Sequence, residues 1–323
     1  MTKTFFAPWA AAIALLCFPF AVLAQAYPSG PITIVVPLAA GDGGDTTLRT
    51  MSEELSRQLN VPIVVTNRPG AGGAIGVQSV IAGKKDGYTL LFTQNSPLTI
   101  RRVLEPQAAS YDPAKDLVPL GITTRTPSIL VVRKDSPLRS FQELIAQAKK
   151  APGSVRIGTP GAGSSSDISI QLINAMAGTE ITAVPYKGAS PAVTDVLGGQ
   201  VEGVILALGA VSTHMKSGAL RPLAISTPFP ELPDVPTLSK LGYAQEIQGV
   251  WFGFFAPAGV PPEVAQVLVP ALERTVRNPA LAARLQPLGI IQDWAPPQKL
   301  ASEIASEYET VGDLTRRMAP RKP

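Results

Sequence analysis

The chain has 323 residues, with 28 basic and 24 acidic side chains, a formal net charge of +4, one histidine and one cysteine. Its basic residues are scattered in runs no longer than two and aromatics make up only 6%, which excludes a nucleic-acid footprint, since that needs a clustered basic face. A single His and a single Cys are too few for a zinc site, and no carboxylate cluster suggests a harder metal.

Residues 1–26 differ in kind from the rest. Lys3 precedes an almost wholly apolar run from Phe5 to Leu23, and Ala24-Gln25-Ala26 forms a small-x-small site before Tyr27-Pro28. This pattern predicts a cleaved secretory signal peptide. The apolar core from Trp9 to Leu23 is broken by Pro19 and falls short of the ~20 residues that span a bilayer. Cys17 lies inside this leader behind Leu16, which is too large for a lipid-attachment signal, so the mature chain is expected to carry no thiol and form no disulfide. An exported chain of this kind is expected in the periplasm.

The chain beyond the leader has room for two domains of ordinary size. Ile32–Val36 reads as a buried strand, followed by a loop and a helix with Leu48, Met51, Leu55 and Leu59 on one stripe. Ile63–Thr66 and Tyr88–Phe92 are the next strands. Strand, loop, helix, strand implies right-handed crossovers and a largely parallel sheet. A second set starts with the strand Ile129–Val132. Ser140-Phe-Gln-Glu143 predicts a capping box in which each side chain satisfies the other's backbone donor, opening a helix that stops near Pro152-Gly153. Strands follow at 155–158, 181–184, 201–207 and 223–225, with a helix bearing Ile168, Leu172, Ala175 and Met176 on one face and another begun by Ser190-Pro191.

The apolar segments Ile129–Val132 and Val250–Ala256 bracket this set and are candidates for paired hinge strands. The remainder is expected to be helical, after Pro261-Pro262, after Asn278-Pro279 as far as Gly289, and after Pro296-Pro297, the last with Leu300, Ile304, Tyr308 and Val311 on its packed face. The expected organisation is a leader at 1–26, one lobe from 27–127 and 251–323, and a second from 128–250.

Three Gly-rich loops stand between a strand and a helix: Gly41–Gly44, Gly70–Gly76 and Gly161–Ser166. Helix N-termini expose unpaired N–H groups and a partial positive charge, so such loops receive anions without a Lys or Arg. Each loop is equally explained as a tight turn. Enzyme motifs are absent: the Gly-x-Gly pairs lack a third glycine, there is no phosphate loop, and Ser164–Ser166 lack the Gly-x-Ser-x-Gly elbow. His214, the only histidine, is expected in a surface helix. No cofactor is expected.

Read in order, Tyr27-Pro28, Ile34–Pro37, Asn67-Arg-Pro-Gly-Ala-Gly-Gly73, Asp86-Gly-Tyr-Thr-Leu90, Tyr111–Asp116, Val184-Pro-Tyr-Lys-Gly188, Leu197-Gly-Gly-Gln-Val201, Leu232-Pro-Asp-Val-Pro-Thr237, Trp251-Phe-Gly253 and Ala256–Gly259 resemble the tripartite tricarboxylate transporter substrate-binding proteins, the Bug family. The blocks run from just after the leader to the C-terminal helices and are specific in combination rather than singly.

The resemblance implies a periplasmic binding protein of type II-like α/β fold, with two lobes joined by two crossover strands and closing on one small molecule. Family ligands are organic acids: tri- and dicarboxylates, acidic amino acids, aromatic acids. Delivery is to small and large integral-membrane transporter subunits, though many members are orphans. The expected assembly is a monomer.

By the same resemblance the ligand meets Leu38, Ala39, Ala40, Gly41, Asp42 and Asp45 after the first strand, and Thr93 and Asn95 after the third. From the second lobe come Gly161, Ser164, Ser165 and Asp167, then Tyr186, Lys187 and Gly188, and the strand end at Leu206. Asp42 replaces a usual glycine, Gly44 a Thr or Ser, Asp167 a polar residue that is often His, and Leu206 a common Asp. A carboxylate ~4 Å from a ligand carboxylate costs about 4 kcal/mol at an effective dielectric of ~20. Either Asp42 points away or the ligand is altered toward an amide, ammonium or hydroxyl at that place. The expectation is a receptor, not an enzyme; the competing readings are the input of a membrane histidine kinase and a hydrolase using Ser164 or Ser165.

Overall fold

The computed structural model describes residues 27–318; the predicted leader, with Cys17 and the cleavage site, lies outside the described residues. In chain order the first part comprises β1 (Ile32–Val36), α1 (Gly43–Leu59), β2 (Ile63–Asn67), a 3-10 turn (Ala71–Gly73) leading into α2 (Ala74–Ile81), and β3 (Thr89–Gln94). Short helices α3 (Asn95–Leu98), α4 (Ile100–Leu104) and α5 (Pro113–Asp116) then lead to β4 (Leu117–Thr126). The chain crosses at Pro127 into β5 (Ser128–Arg133), α6 (Phe141–Lys150), β6 (Arg156–Thr159), α7 (Ser165–Ala177), β7 (Thr182–Pro185), α8 (Ala189–Leu197), β8 (Gly203–Ala207), α9 (Leu208–Lys216) and β9 (Leu220–Ile225). It returns through 226–249 to β10 (Val250–Pro257), α10 (Pro262–Val276), α11 (Pro279–Leu285), β11 (Ile291–Ala295) and α12 (Pro297–Met318).

These strands make two sheets, ordered β11-β4-β10-β3-β1-β2 and β7-β6-β8-β5-β9. Helices cover both faces of each sheet, so both sides of the central strands are buried. In the first sheet Ile34, Leu90, Phe92 and Phe254 pack on Leu48, Met51 and Leu55 of α1 and on α10. The alternate residues Val35, Leu91, Trp251 and Phe255 face α2 and α12 instead. The second sheet repeats the arrangement, with Leu130 and Ile205 toward α6 and α7 and Ile129, Val204 and Leu206 toward α8 and α9. This is why the strands read as unbroken apolar runs. A fifth cluster, Ile100 of α4 with Ile168 and Leu172 of α7 and Val311 and Leu314 of α12, ties the lobes together.

The sheets are mixed rather than largely parallel. β1 runs parallel to β2 and β3, and β6 to β7 and β8, whereas β10 is antiparallel to β3 and β4, and β5 to β8 and β9. The strand that carries the chain out of the first lobe, β4, lies beside the one that brings it back, β10, and two such neighbours run in opposite directions. For the same reason Ile129–Val132 and Val250–Ala256 do not pair with each other: each is internal to its own sheet, and the crossings are Pro127 and the segment 226–249.

Two strands escape sequence inspection. β4 contains Pro119 and Gly121, residues that read as breakers, but its ladder with β10 shifts register around them. Gly121 has φ +139°, and a Cβ there would stand 2.6 Å from the Trp294 ring. β11, half-buried along most of its length, lies within a region expected to be helical.

Packing also corrects several local expectations. In α6 the Ser140 hydroxyl accepts from Glu143 N at 3.2 Å, but the Glu143 carboxylate accepts from Arg139 N rather than Ser140 N. In α7 Ala175 is exposed and Met176 half-buried, because the helix is enclosed on two sides through Ile168, Ile170, Leu172 and Ile173. Helix α8 starts at Ala189 behind Gly188, which puts Pro191 at its third position. Tyr308 of α12 stays exposed, with the Arg102 guanidinium 4.4 Å from its ring centre.

Candidate functional site

The loops that leave the strand ends of the two sheets face one another across a cleft of about 420 Å³, within the ~300–1,000 Å³ usual for small-molecule sites. The first lobe contributes 37–39, Pro69, Gly70, Gly72, Gly73, Gln94, Ser96 and Arg101; the second contributes 160–166, Ala207 and, beside the crossings, Ser128 and Val250. Ligands of open α/β sheets bind outside such strand ends.

At α1 the helix N-terminus is occupied by the protein's own carboxylates. Asp45 accepts from Gly41 N at 2.8 Å, Asn67 Nδ2 at 2.9 Å and Arg49 Nε at 2.9 Å. Burial pushes this carboxyl up, yet those hydrogen bonds and the Arg49 charge outweigh it and hold Asp45 below the ordinary carboxylate range. Asp42 caps the helix, accepting from Gly44 N at 3.3 Å, and is exposed. Neither Asp42 nor Asp45, nor the exposed Ala40 and Gly41, lines the cleft; Leu38 and Ala39 do.

The second-lobe loop reuses the same device. Asp167 accepts from Gly163 N at 2.9 Å, as Asp45 does from Gly41, and its own N–H is capped by Ser164 Oγ at 3.2 Å. Gly161 O accepts from Ser164 N. The amides of Ser165 and Ser166, first in α7, have no carbonyl one turn back to receive them. Here the loop and the first turn line the cleft, so these amides and the two serine hydroxyls are its donors. Ser164 is committed to capping, and no histidine is among the lining residues; His214 lies in α9.

Beneath the first-lobe wall sits a polar cluster that the sequence only half revealed. Asn95 Nδ2 donates to Gly249 O at 3.2 Å and to Glu307 Oε1 at 3.4 Å. Glu307 also accepts from Trp251 Nε1 at 2.7 Å and Thr99 Oγ1 at 3.2 Å. Burial drives the Glu307 carboxyl up to about 7, with the Glu303 charge adding to it, against the opposing pull of these three donors. Asn95 Oδ1 is buried without a partner among the described residues. Asn95 thus links the first lobe to the return crossing, below the cleft, and Thr93 is buried in β3.

The remaining expected residues point elsewhere. The Tyr186 hydroxyl donates to Asp195 Oδ2 at 2.7 Å, its ring lies over Gly158, and burial first, then Asp195, pushes the phenol up to about 12. Lys187 is exposed and outside the lining; Gly188 N ties back to Pro160 O at 3.0 Å. Leu206 is fully buried opposite Ile129, and the next residue, Ala207, turns into the cleft. Of the residues expected to touch a ligand, the structure therefore brings together Leu38, Ala39, Gly161, Ser164 and Ser165. It adds Arg101, whose only sequence signal was its place in the Arg101-Arg102 pair after a Gly-rich loop.

Residues 47–319 match the family described as Tripartite tricarboxylate transporter family receptor. Protein BugT of Bordetella pertussis is 35% identical over 301 residues, which cover 91% of this chain and 91% of that protein. Among solved structures, a TctC solute binding protein from Polaromonas superposes with a TM-score of 0.81 at 27% identity, covering 90% of this chain and 100% of that one. The R. palustris protein Rpa4515 with adipate gives 0.76 at 29% identity, covering 90% and 97%.

Proposed function

The chain belongs to the tripartite tricarboxylate transporter receptor family, and on that premise we propose that it is a periplasmic receptor for a small organic acid or a related amino acid or amide. It captures this solute between a lobe of residues 27–127 with 251–323 and a lobe of residues 128–250. It hands the solute to the small and large membrane subunits of a tripartite-type transporter. No helix among the described residues is long and apolar enough to cross a membrane, which accords with a receptor that reaches such subunits from outside the bilayer.

The observation that carries the reading is the cleft itself, walled by both lobes, with the Ser165 and Ser166 amides and hydroxyls left over after Ser164 and Asp167 have closed their own loop. Such donors stabilise an acceptor-rich ligand end without a counter-charge. A solute of about nine heavy atoms at ~1 kcal/mol per atom binds near micromolar. A binding rather than a catalytic reading is favoured because Ser164 already caps α7 and the lining offers no general base for it.

The test is calorimetry on the purified mature chain against carboxylates, amino acids and amides. One solute bound per chain without turnover is the expected result. Failure of the whole panel to bind, or turnover that disappears in a Ser164→Ala variant, overturns the proposal.

A further inference from the structure

We infer that Arg101 selects the ligand: its guanidinium receives a carboxylate of the bound solute, so the solute carries at least one negative charge against the first-lobe wall. This rests on the receptor reading above. Arg101 is the only ionisable side chain among the described residues lining the cleft. Asp42, Asp45 and Asp167 are turned into their own helix ends, so none of these three opposes an anion there.

The backbone is shaped around this side chain. Residues 70–73 all have positive φ: 126°, 47°, 60° and 100°. A Cβ on Gly72 would lie 2.5 Å from Arg101 Nε and 3.0 Å from Cδ and Cζ. A side chain at 72 would push the guanidinium away from the loop, and at φ +60° the position also favours glycine. The neighbouring Arg102 is committed elsewhere, donating to Tyr111 O at 3.0 Å and lying over the Tyr308 ring.

Arg101 has one carboxylate partner, Glu105 of the next turn, with side chains 25% and 46% exposed. A pair at this spacing in partial contact with water is weak, so a ligand carboxylate can displace Glu105 and form the stronger planar, two-pronged contact that a guanidinium offers. Helix α4 also reaches the opposite wall, since Leu104 Cδ1 stands 3.0 Å from where a Gly163 Cβ would be. The charge at Arg101 therefore faces a cleft whose other side offers the uncharged donors of Ser165 and Ser166. A carboxylate is needed at the first end, while a carboxylate, amide or hydroxyl suffices at the second.

The experiment uses C4–C6 dicarboxylates including adipate, with the matched monoamides and diamides, titrated by calorimetry into wild type, Arg101→Met, Arg101→Lys and Glu105→Gln. Wild type is expected to bind an acid and its monoamide at least ~30-fold more tightly than the diamide. Arg101→Met is expected to lose about 10- to 100-fold for the acid, the range for a charge-assisted hydrogen bond, while Arg101→Lys falls between and Glu105→Gln binds a few-fold more tightly.

An Arg101→Met protein that melts like wild type and binds the acid within ~3-fold overturns the role of Arg101 and leaves the receptor reading standing. A wild type that prefers the diamide does the same. Should Arg101→Met not fold, Glu105→Gln decides, and unchanged or weaker acid binding in that variant counts against the inference. A wild type that binds none of the acids overturns the inference, and one that binds nothing in the broader solute panel removes the receptor reading as well.

Discussion

Replacing Glu307 by glutamine removes one negative charge from the cluster under the cleft and keeps the side chain's size. Gln Oε1 can still accept from Trp251 Nε1, so the hydrogen bonds at 2.7 Å and, on Thr99, 3.2 Å retain partners. In the folded chain the Glu307 carboxyl titrates near 7 against an ordinary value of 4.5. A raised acid pKa means the folded state holds its proton more tightly than the unfolded state. The contribution to stability is then fully present below about pH 4.5 and is lost as pH rises through about 7. At ~1.4 kcal/mol for each tenfold difference in proton affinity between the two states, this amounts to about 3 kcal/mol, a large share of the ~5–15 kcal/mol typical of a folded protein.

Urea denaturation of wild type and Glu307→Gln at pH 5, 6, 7 and 8 reads it directly. Because pH 5 already lies above the ordinary value of 4.5, the variant is expected to gain about 2 to 3 kcal/mol on wild type between pH 5 and pH 8. Taking the difference at each pH cancels groups common to both, such as Asp45 and Glu202, whose lowered pKa values act in the opposite direction. A difference that stays flat across this range refutes the argument, because it means Glu307 is ionised, and solvated, throughout.

Asp45→Asn weakens three contacts to a buried carboxylate and is expected to cost about 2–3 kcal/mol, measured as a shift in denaturation midpoint at pH 7. Since Asp45 titrates below the ordinary range, that penalty shrinks as pH falls through its folded pKa. Gly72→Ala, with a Cβ 2.5 Å from Arg101 Nε at φ +60°, is expected to cost ~1 kcal/mol in the left-handed region and to lower acid affinity alongside it; stability and calorimetry are both measured. The double variant Ser165→Ala, Ser166→Ala is expected to weaken binding of whichever solute is found by about 10-fold, about one hydrogen bond's net worth, with an unchanged melting temperature. Lys187→Ala, in an exposed residue outside the cleft, is expected to alter neither.

The strands and helices read most plainly from the chain were those with an apolar core face. β1, β3 and β5 bury both faces, so their residues are mostly apolar, and α1 shows its core stripe in Leu48, Met51, Leu55 and Leu59. β4 and β11 were hidden, the first because Pro119 and Gly121 are tolerated at register shifts that only the neighbouring β10 defines, the second because Gln292 and Asp293 interrupt its short apolar run. Strand direction was hidden too, since an apolar run has the same composition whichever way it points.

The Gly-rich loops were visible as places where a helix N-terminus opens toward solvent, and two of them, through Gly70, Gly72 and Gly73 and through 161–166, line the cleft, together with Leu38 and Ala39 ahead of the third. Local sequence settles that much, because helix starts and glycine turns depend on near neighbours. Which side chains line the cleft was decided by tertiary structure. Asp42, Asp45 and Asp167 had the composition of a modified site, yet each finds a backbone N–H within its own loop at 2.8 to 3.3 Å. Leu206 and Ala207 differ by one step along β8, and that step puts one in the core and the other in the cleft. Arg101 and Arg102 are adjacent and identical in kind, yet the first lies against Gly72 and lines the cleft while the second donates to Tyr111 O and lies over the distant ring of Tyr308.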